Sequence, residues 1–143
     1  MEDSIYLDYA ATTPVHPNVL KAMLPFFTEH FGNSSSSTHQ HGWYTKGAIK
    51  RARKQVAKAI NCEESEIIFT SGATEGINQG IKGIFNLYHK KGNHIIVSKT
   101  EHKAVLDTIK SLEKKGADIT YLDVNSEGII TKEAFESAVK PTT

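Results

Sequence analysis

Residues 66–88, EIIFTSGATEGINQGIKGIFNLY, constrain the fold of this chain more than any other stretch. Ile67, Ile68 and Phe69 read as a buried strand, Thr70, Ser71, Gly72, Ala73 and Thr74 as a tight turn, and Ile77, Ile81, Ile84, Phe85 and Tyr88 as one face of a helix. A helix that starts straight after such a turn has backbone N–H groups without intrahelical partners. They point, with the positive end of the helix dipole, at one spot beyond the strand's carboxyl end. That spot suits an anion. The hydroxyls of Ser71 and Thr74 add donors for phosphate oxygens, and Gly72 lets a phosphate come close to the backbone. The same residues fit a plain helix start with Ser71 or Thr74 as N-cap, and the turn alone leaves both readings open. It contains neither Gly-x-x-x-x-Gly-Lys-Ser/Thr nor Gly-x-Gly-x-x-Gly, so a Walker-type NTPase and a dinucleotide fold are not supported.

The 143 residues are enough for one domain with a real core, or for part of one. A formal net charge of +1 gives no general pull toward nucleic acid or anionic membranes, and no apolar run approaches the ~20 residues of a spanning helix. The first residues, MEDSIYLDYAATTP, have neither the basic start nor the apolar core of a signal peptide, so the expectation is a soluble, cytoplasmic protein. The single Cys62 excludes an intrachain disulfide. It lies in NCEESE, where acidic neighbours raise a thiol pKa, and reads as a small packing residue rather than a reactive one.

In chain order, residues 4–14 read as an extended segment that turns at Ala-Ala-Thr-Thr-Pro. Residues 16–31 carry Leu20, Met23, Leu24 and Phe27 at helical spacing, with Pro17 at a first helical position and Pro25 interrupting the helix. Residues 32–42, GNSSSSTHQHG, read as a loop long enough to suggest a functional role. His39 and His41 lack a third ligand nearby, so no metal site is assigned. Residues 43–60 form a basic amphipathic helix whose small residues Ala48, Ala52 and Ala59 suit packing against a sheet, and whose cations read as a solvated face. HIIVSK reads as a second buried strand. A helix follows with Thr100 as N-cap, Val105, Ile109 and Leu112 on its apolar face and Gly116 at its end. ADITYLDV is a further strand, NSEG a turn, and residues 131–139 a short helix.

Strands alternating with helices over short connections predict an α/β fold, a mostly parallel sheet with helices on both faces and ligands at the strands' carboxyl ends. Two turns, at residues 70–74 and 98–102, then face one crevice. An anion held by the first would lie beside His102, whose ring has the chemistry to stack on a planar group or move protons near neutral pH. An exposed helix-start histidine interacting with Glu101 fits the same spacing.

Four segments, YLDYAATTP (6–14), GNSSSSTHQHGW (32–43), IFTSGATEGIN (68–78) and SKTEHKAVLDT (98–108), resemble, in order and spacing, the pyridoxal-phosphate-dependent cysteine desulfurases that supply iron-sulfur cluster assembly. The resemblance implies part of the large domain of the fold-type I pyridoxal-phosphate transferase fold over residues 15–143. Residues 1–14 would be an extended segment that joins the small domain in full-length members. It implies that Ala73 and Thr74 hold the phosphate of pyridoxal 5'-phosphate through backbone and hydroxyl, and that His102 stacks on the pyridine ring and assists proton transfer on the substrate. The implied reaction takes sulfur from L-cysteine, leaving L-alanine and an enzyme persulfide. The implied partners are a second subunit in a homodimer and an iron-sulfur scaffold or sulfur-acceptor protein, with no nucleic acid and no membrane. The loop at 32–42 resembles a family segment near the active site and dimer interface.

The family's cofactor-binding lysine, pyridine-nitrogen acid, carboxylate-binding arginine and cysteine nucleophile all lie downstream of the last matching segment. Cys62, Lys99 and Lys103 match none of them. The expectation is therefore an amino-terminal portion of a desulfurase, as a fragment, a truncated gene or half of a split enzyme, inactive by itself. The alternatives are a selenocysteine lyase or other class-V aminotransferase-like lyase, and a non-catalytic remnant that pairs with a full-length desulfurase.

Overall fold

Two prolines set the first helices. In the computed structural model, which describes residues 4–143, Pro17 opens α1 (Pro17–Met23) and Pro25 opens α2 (Pro25–Thr28). A proline lacks the N–H that a helix interior needs and is tolerated in the first turn, so the interruption expected at Pro25 becomes a full break after Met23. The His16 Nδ1 accepts from the Asn18 N–H and caps α1. Before it, the extended segment turns where the Ala11 N–H bonds the Asp8 carbonyl, and Ile5 and Leu7 are exposed. Residues 1–3 of the proposed 1–14 segment lie outside the described residues.

The polar loop is shorter than its composition suggests, because α3 (Gln40–Ile60) begins inside it, with His39 Nδ1 accepting from the Gly42 N–H at 3.3 Å. Gly42 is required there, since a Cβ would collide with the Ser36 carbonyl. Trp43 Nε1 donates to the Ser37 carbonyl at 2.7 Å and ties the loop to the helix. Asn61 ends α3 in the left-handed region at φ 56°. The helix then packs through buried Ala57 against a 3-10 turn at Glu64–Glu66, and the Arg53 guanidinium donates to the Ile67 carbonyl. Ala48, Ala52 and Ala59, expected against a sheet, are not buried: Ala48 and Ala52 are half-buried and Ala59 is exposed. These elements make up one compact unit, which ends at Ile68.

The strand expected at Ile67, Ile68 and Phe69 does not form. The backbone there is extended, but residues 67–70 join no ladder, and only Ile67 is buried while Ile68 and Phe69 are 65% and 51% exposed. A strand needs a ladder, and the one ladder among the described residues joins residues 94–98 to 118–122.

The second unit, from Phe69 onward, carries α4 (Ala73–Tyr88), β1 (His94–Ser98), α5 (Lys103–Glu113), β2 (Asp118–Leu122) and α6 (Lys132–Ala138). β1 and β2 are parallel, with His94 opposite Asp118 and Ser98 opposite Leu122. A parallel pair needs a crossover of a dozen or more residues, and α5 supplies it. Its apolar face places Ile109 and Leu112 in the core at 1% and 0% exposure, beside Val97 and Leu122. Burying each such side chain is worth about 1.5–3 kcal/mol. Gly116 (φ 94°) ends the crossover and Gly128 (φ 79°) closes the turn to the Asn125 carbonyl, two positions where an L side chain would be strained.

α4 packs against α5, yet none of its residues is fully buried. Ile81 and Phe85 are half covered while Ile84 and Tyr88 stay exposed, and a cavity of about 480 Å³ opens between this face and His94 and Ile95. Two strands cover only part of a face that the sequence makes apolar along its whole length.

Candidate functional site

The three residues singled out for cofactor binding stand at two helix starts in the second unit. Ala73 and Thr74 are the first two residues of α4, and His102 is the N-cap of α5. All three are exposed. The two helices pack against each other, and the cavity of about 400 Å³ lined by Ile81, Ser98, Glu101 and Val105 takes in none of the three.

At α4 the N-cap is Gly72, in extended backbone, and no side chain caps the first turn. This settles the choice between Ser71 and Thr74 as N-cap: neither is. The Ser71 N–H and hydroxyl both donate to Glu75 Oε2, at 2.7 and 2.6 Å, and the Thr70 hydroxyl donates to the Gly72 carbonyl at 3.2 Å. These bonds, the hydroxyl's above all, hold the Glu75 carboxyl below the usual carboxylate range. The Ser71 hydroxyl, expected to reach for phosphate, has its one proton committed to Glu75. The space in front of Gly72 is open, with no atom within 4 Å of a Cβ built there. The result is an unfilled set of first-turn donors at the positive end of a 16-residue helix.

At α5 the arrangement is reversed. The expected cap, Thr100, instead pairs its hydroxyl with Ser98 Oγ at 2.8 Å, and His102 Nδ1 accepts from the Ala104 N–H at 3.1 Å. A ring nitrogen that accepts carries no proton, so the neutral ring of His102 holds its proton on Nε2. Sequence reasoning passed over histidine as a cap because Ser, Thr, Asp and Asn dominate that position. It also missed Glu75, although a glutamate at the third helical position is the usual signal for a side chain reaching back over the helix start.

The remaining candidates separate from these. Cys62 is half-buried, with its thiol pushed up by burial and by the carboxylates of Glu66 and Glu63, which fits an inert packing residue. The rings of His39 and His41 lie 6.1 Å apart, and among the described residues no three metal-binding side chains gather. Lys99 is paired with Asp123 at 2.7 Å.

A family model described as aminotransferase class-V matches residues 5–143. The chain belongs to the aminotransferase class-V family. Within that family it is 50% identical over its whole length to the cysteine desulfurase IscS of Dechloromonas aromatica and 53% identical to that of Shewanella loihica, covering 36% of each. The chain therefore spans about a third of the length of these curated relatives. Among solved structures, a NifS-like protein matches 92% of the chain at 39% identity with a TM-score of 0.87, covering 36% of that protein. SspA in complex with cysteine matches 97% at 40% identity with a TM-score of 0.88, covering 40% of that protein. The class-V fold expected from the sequence, a mixed helix and strand arrangement with a parallel sheet, is thus the fold of this partial domain. No helix among the described residues is long and apolar enough to cross a membrane.

Proposed function

We propose that this chain carries the phosphate-binding and ring-facing part of a pyridoxal-phosphate-dependent cysteine desulfurase, with residues 15–143 contributing to its cofactor-binding domain and residues 1–14 joining its small domain. The observation that carries the reading is the uncapped start of α4 at Ala73 and Thr74, in a chain about 50% identical throughout to desulfurases. The donor set fits the group: a phosphate monoester is a dianion near neutral pH, and open first-turn amides on a long helix are its usual receptor.

Pyridoxal phosphate, when bound, supplies the electron sink that lets an amino acid such as L-cysteine lose its sulfur. The Ala73 and Thr74 N–H groups bind its phosphate, and the Thr74 hydroxyl donates a further hydrogen bond. His102 would hold the pyridine ring, with its Nε2–H as the available donor. Uptake of a second proton at Nδ1 ends the bond to the Ala104 N–H, so proton transfer through this ring is linked to its cap. The covalent steps need a lysine and a cysteine nucleophile that match no residue of this chain. The names of the curated relatives and a cysteine-bound structural neighbour support the desulfurase activity and its substrate; a cytoplasmic homodimer that passes sulfur to an acceptor protein is the accompanying part of the proposal, carried by the family resemblance.

The test compares the chain alone with the chain fused to the carboxy-terminal remainder of the Dechloromonas aromatica relative, each given pyridoxal phosphate and L-cysteine. Alanine and sulfide are expected from the fusion only. Either product from the chain alone overturns the assignment of the covalent chemistry elsewhere, and selenocysteine turned over in preference to cysteine replaces desulfurase with selenocysteine lyase.

A further inference from the structure

Every helix of seven or more residues among those described, except α4, is capped by a side chain: His16 on α1, His39 on α3, His102 on α5 and Thr131 on α6. At α4 a capping side chain is present in sequence but turned away. Ser71 lies three residues before Thr74, the spacing at which a serine oxygen accepts the backbone N–H of a first helical turn. Both Ser71 donors are instead taken by Glu75 Oε2, at 2.7 and 2.6 Å, which aims the hydroxyl at the carboxylate. Two other polar side chains beside this turn are also engaged away from the amides. The Thr70 hydroxyl bonds the Gly72 carbonyl, and Asn78 Nδ2 bonds the Thr74 carbonyl at 2.9 Å.

We infer that Glu75 is a positioning residue, which draws the Ser71 hydroxyl away from the start of α4 and so keeps the Ala73 and Thr74 amides open for phosphate. The inference rests on the cofactor reading above. A carboxylate one turn from a phosphate site repels the ligand, so the bare electrostatic expectation is that removing Glu75 tightens anion binding. The positioning role predicts the opposite sign, because a freed Ser71 caps the Thr74 N–H and competes with the ligand.

The probes are inorganic phosphate and 4-deoxypyridoxine 5'-phosphate, which lacks the aldehyde that would react with surface lysines. Affinities are read by amide chemical shifts in the full 143-residue chain, with far-UV circular dichroism confirming that each variant folds. Glu75→Ala is expected to weaken both probes about fivefold, the size of one lost hydrogen bond. Glu75→Gln, whose amide oxygen still accepts from Ser71, should retain most of the affinity. Adding Ser71→Ala to Glu75→Ala should restore it by removing the competitor. Equal or tighter binding by Glu75→Ala, or a double variant as weak as the single one, overturns the role of Glu75. A wild-type chain that binds neither probe saturably overturns the cofactor reading itself.

Discussion

The starts of α4 and α5 are built from similar sequence and end in opposite states. Each follows a short run of hydroxyl-bearing residues; at α5 Thr100 was the expected cap, and at α4 a Ser71 or Thr74 cap was one of two open readings. In α4 the hydroxyls are drawn to Glu75 and to the Gly72 carbonyl, so the first-turn donors stay open. In α5 the Thr100 hydroxyl is drawn to Ser98, and a histidine ring fills the vacancy by bonding the Ala104 N–H. One start keeps its dipole available to a ligand, and the other uses it to orient a side chain. The proposed site, a phosphate beside a ring, would use one of each.

The comparison breaks most readily at the first helical residue. Ala73→Pro removes one amide donor while proline remains suited to that position, so α4 should persist and phosphate affinity fall about tenfold or more. Lys103→Pro makes the same change in α5, where the capped amide belongs to Ala104, and should leave phosphate affinity unchanged. Titration calorimetry on the two variants checks both, and equal losses would show that the two starts do not differ in role.

A smaller effect separates the two duties of His102. His102→Ala should cost about 1 kcal/mol of stability through the lost cap, seen as a lower thermal midpoint. His102→Asn should recover most of that stability, since asparagine is a good N-cap, while weakening affinity for 4-deoxypyridoxine 5'-phosphate as much as alanine does. Full recovery of affinity by asparagine would remove the ring from the binding account.

The smallest effect is with pH. The folded-state pKa of Glu75 is lowered by its bonds from Ser71, so the stability it contributes is present above the ordinary glutamate range and is lost as pH falls through the lowered value. Denaturant midpoints should therefore decline on acidification below about pH 4.5, and Glu75→Gln should flatten part of that decline. An unchanged slope in the variant would show that the Glu75–Ser71 pair is not held in solution.

What the sequence made legible was whatever depends on a residue's own neighbours along the chain. The periodicity of Val105, Ile109 and Leu112 placed α5, the apolar run at 94–98 placed β1, and Asn125 to Gly128 placed a turn, all of which the structure contains. Ile67, Ile68 and Phe69 have the composition of a strand, but the ladder among the described residues joins 94–98 to 118–122, and ladder pairing is a property of two segments. The apolar face of α4 was read correctly as a face, yet Ile84 and Tyr88 are exposed because burial depends on what lies opposite. At the site, Thr74 and His102 were picked out from the two turns, the family resemblance added Ala73, and the cofactor roles of all three are proposals. Glu75 was not picked out, although its place as the third residue of α4 signals a side chain that reaches back over the helix start; which group it would engage there depends on the folded turn.

The most direct test of the phosphate-binding claim is a titration of the isotope-labelled chain with 4-deoxypyridoxine 5'-phosphate, followed at every backbone amide. The account predicts saturable shifts centred on Ala73, Thr74 and Glu75, with smaller ones at Lys103 and Ala104 beneath the ring of His102, all reversed by inorganic phosphate. Shifts spread over the exposed lysines without saturation, or saturation that leaves the start of α4 unmoved, would contradict it.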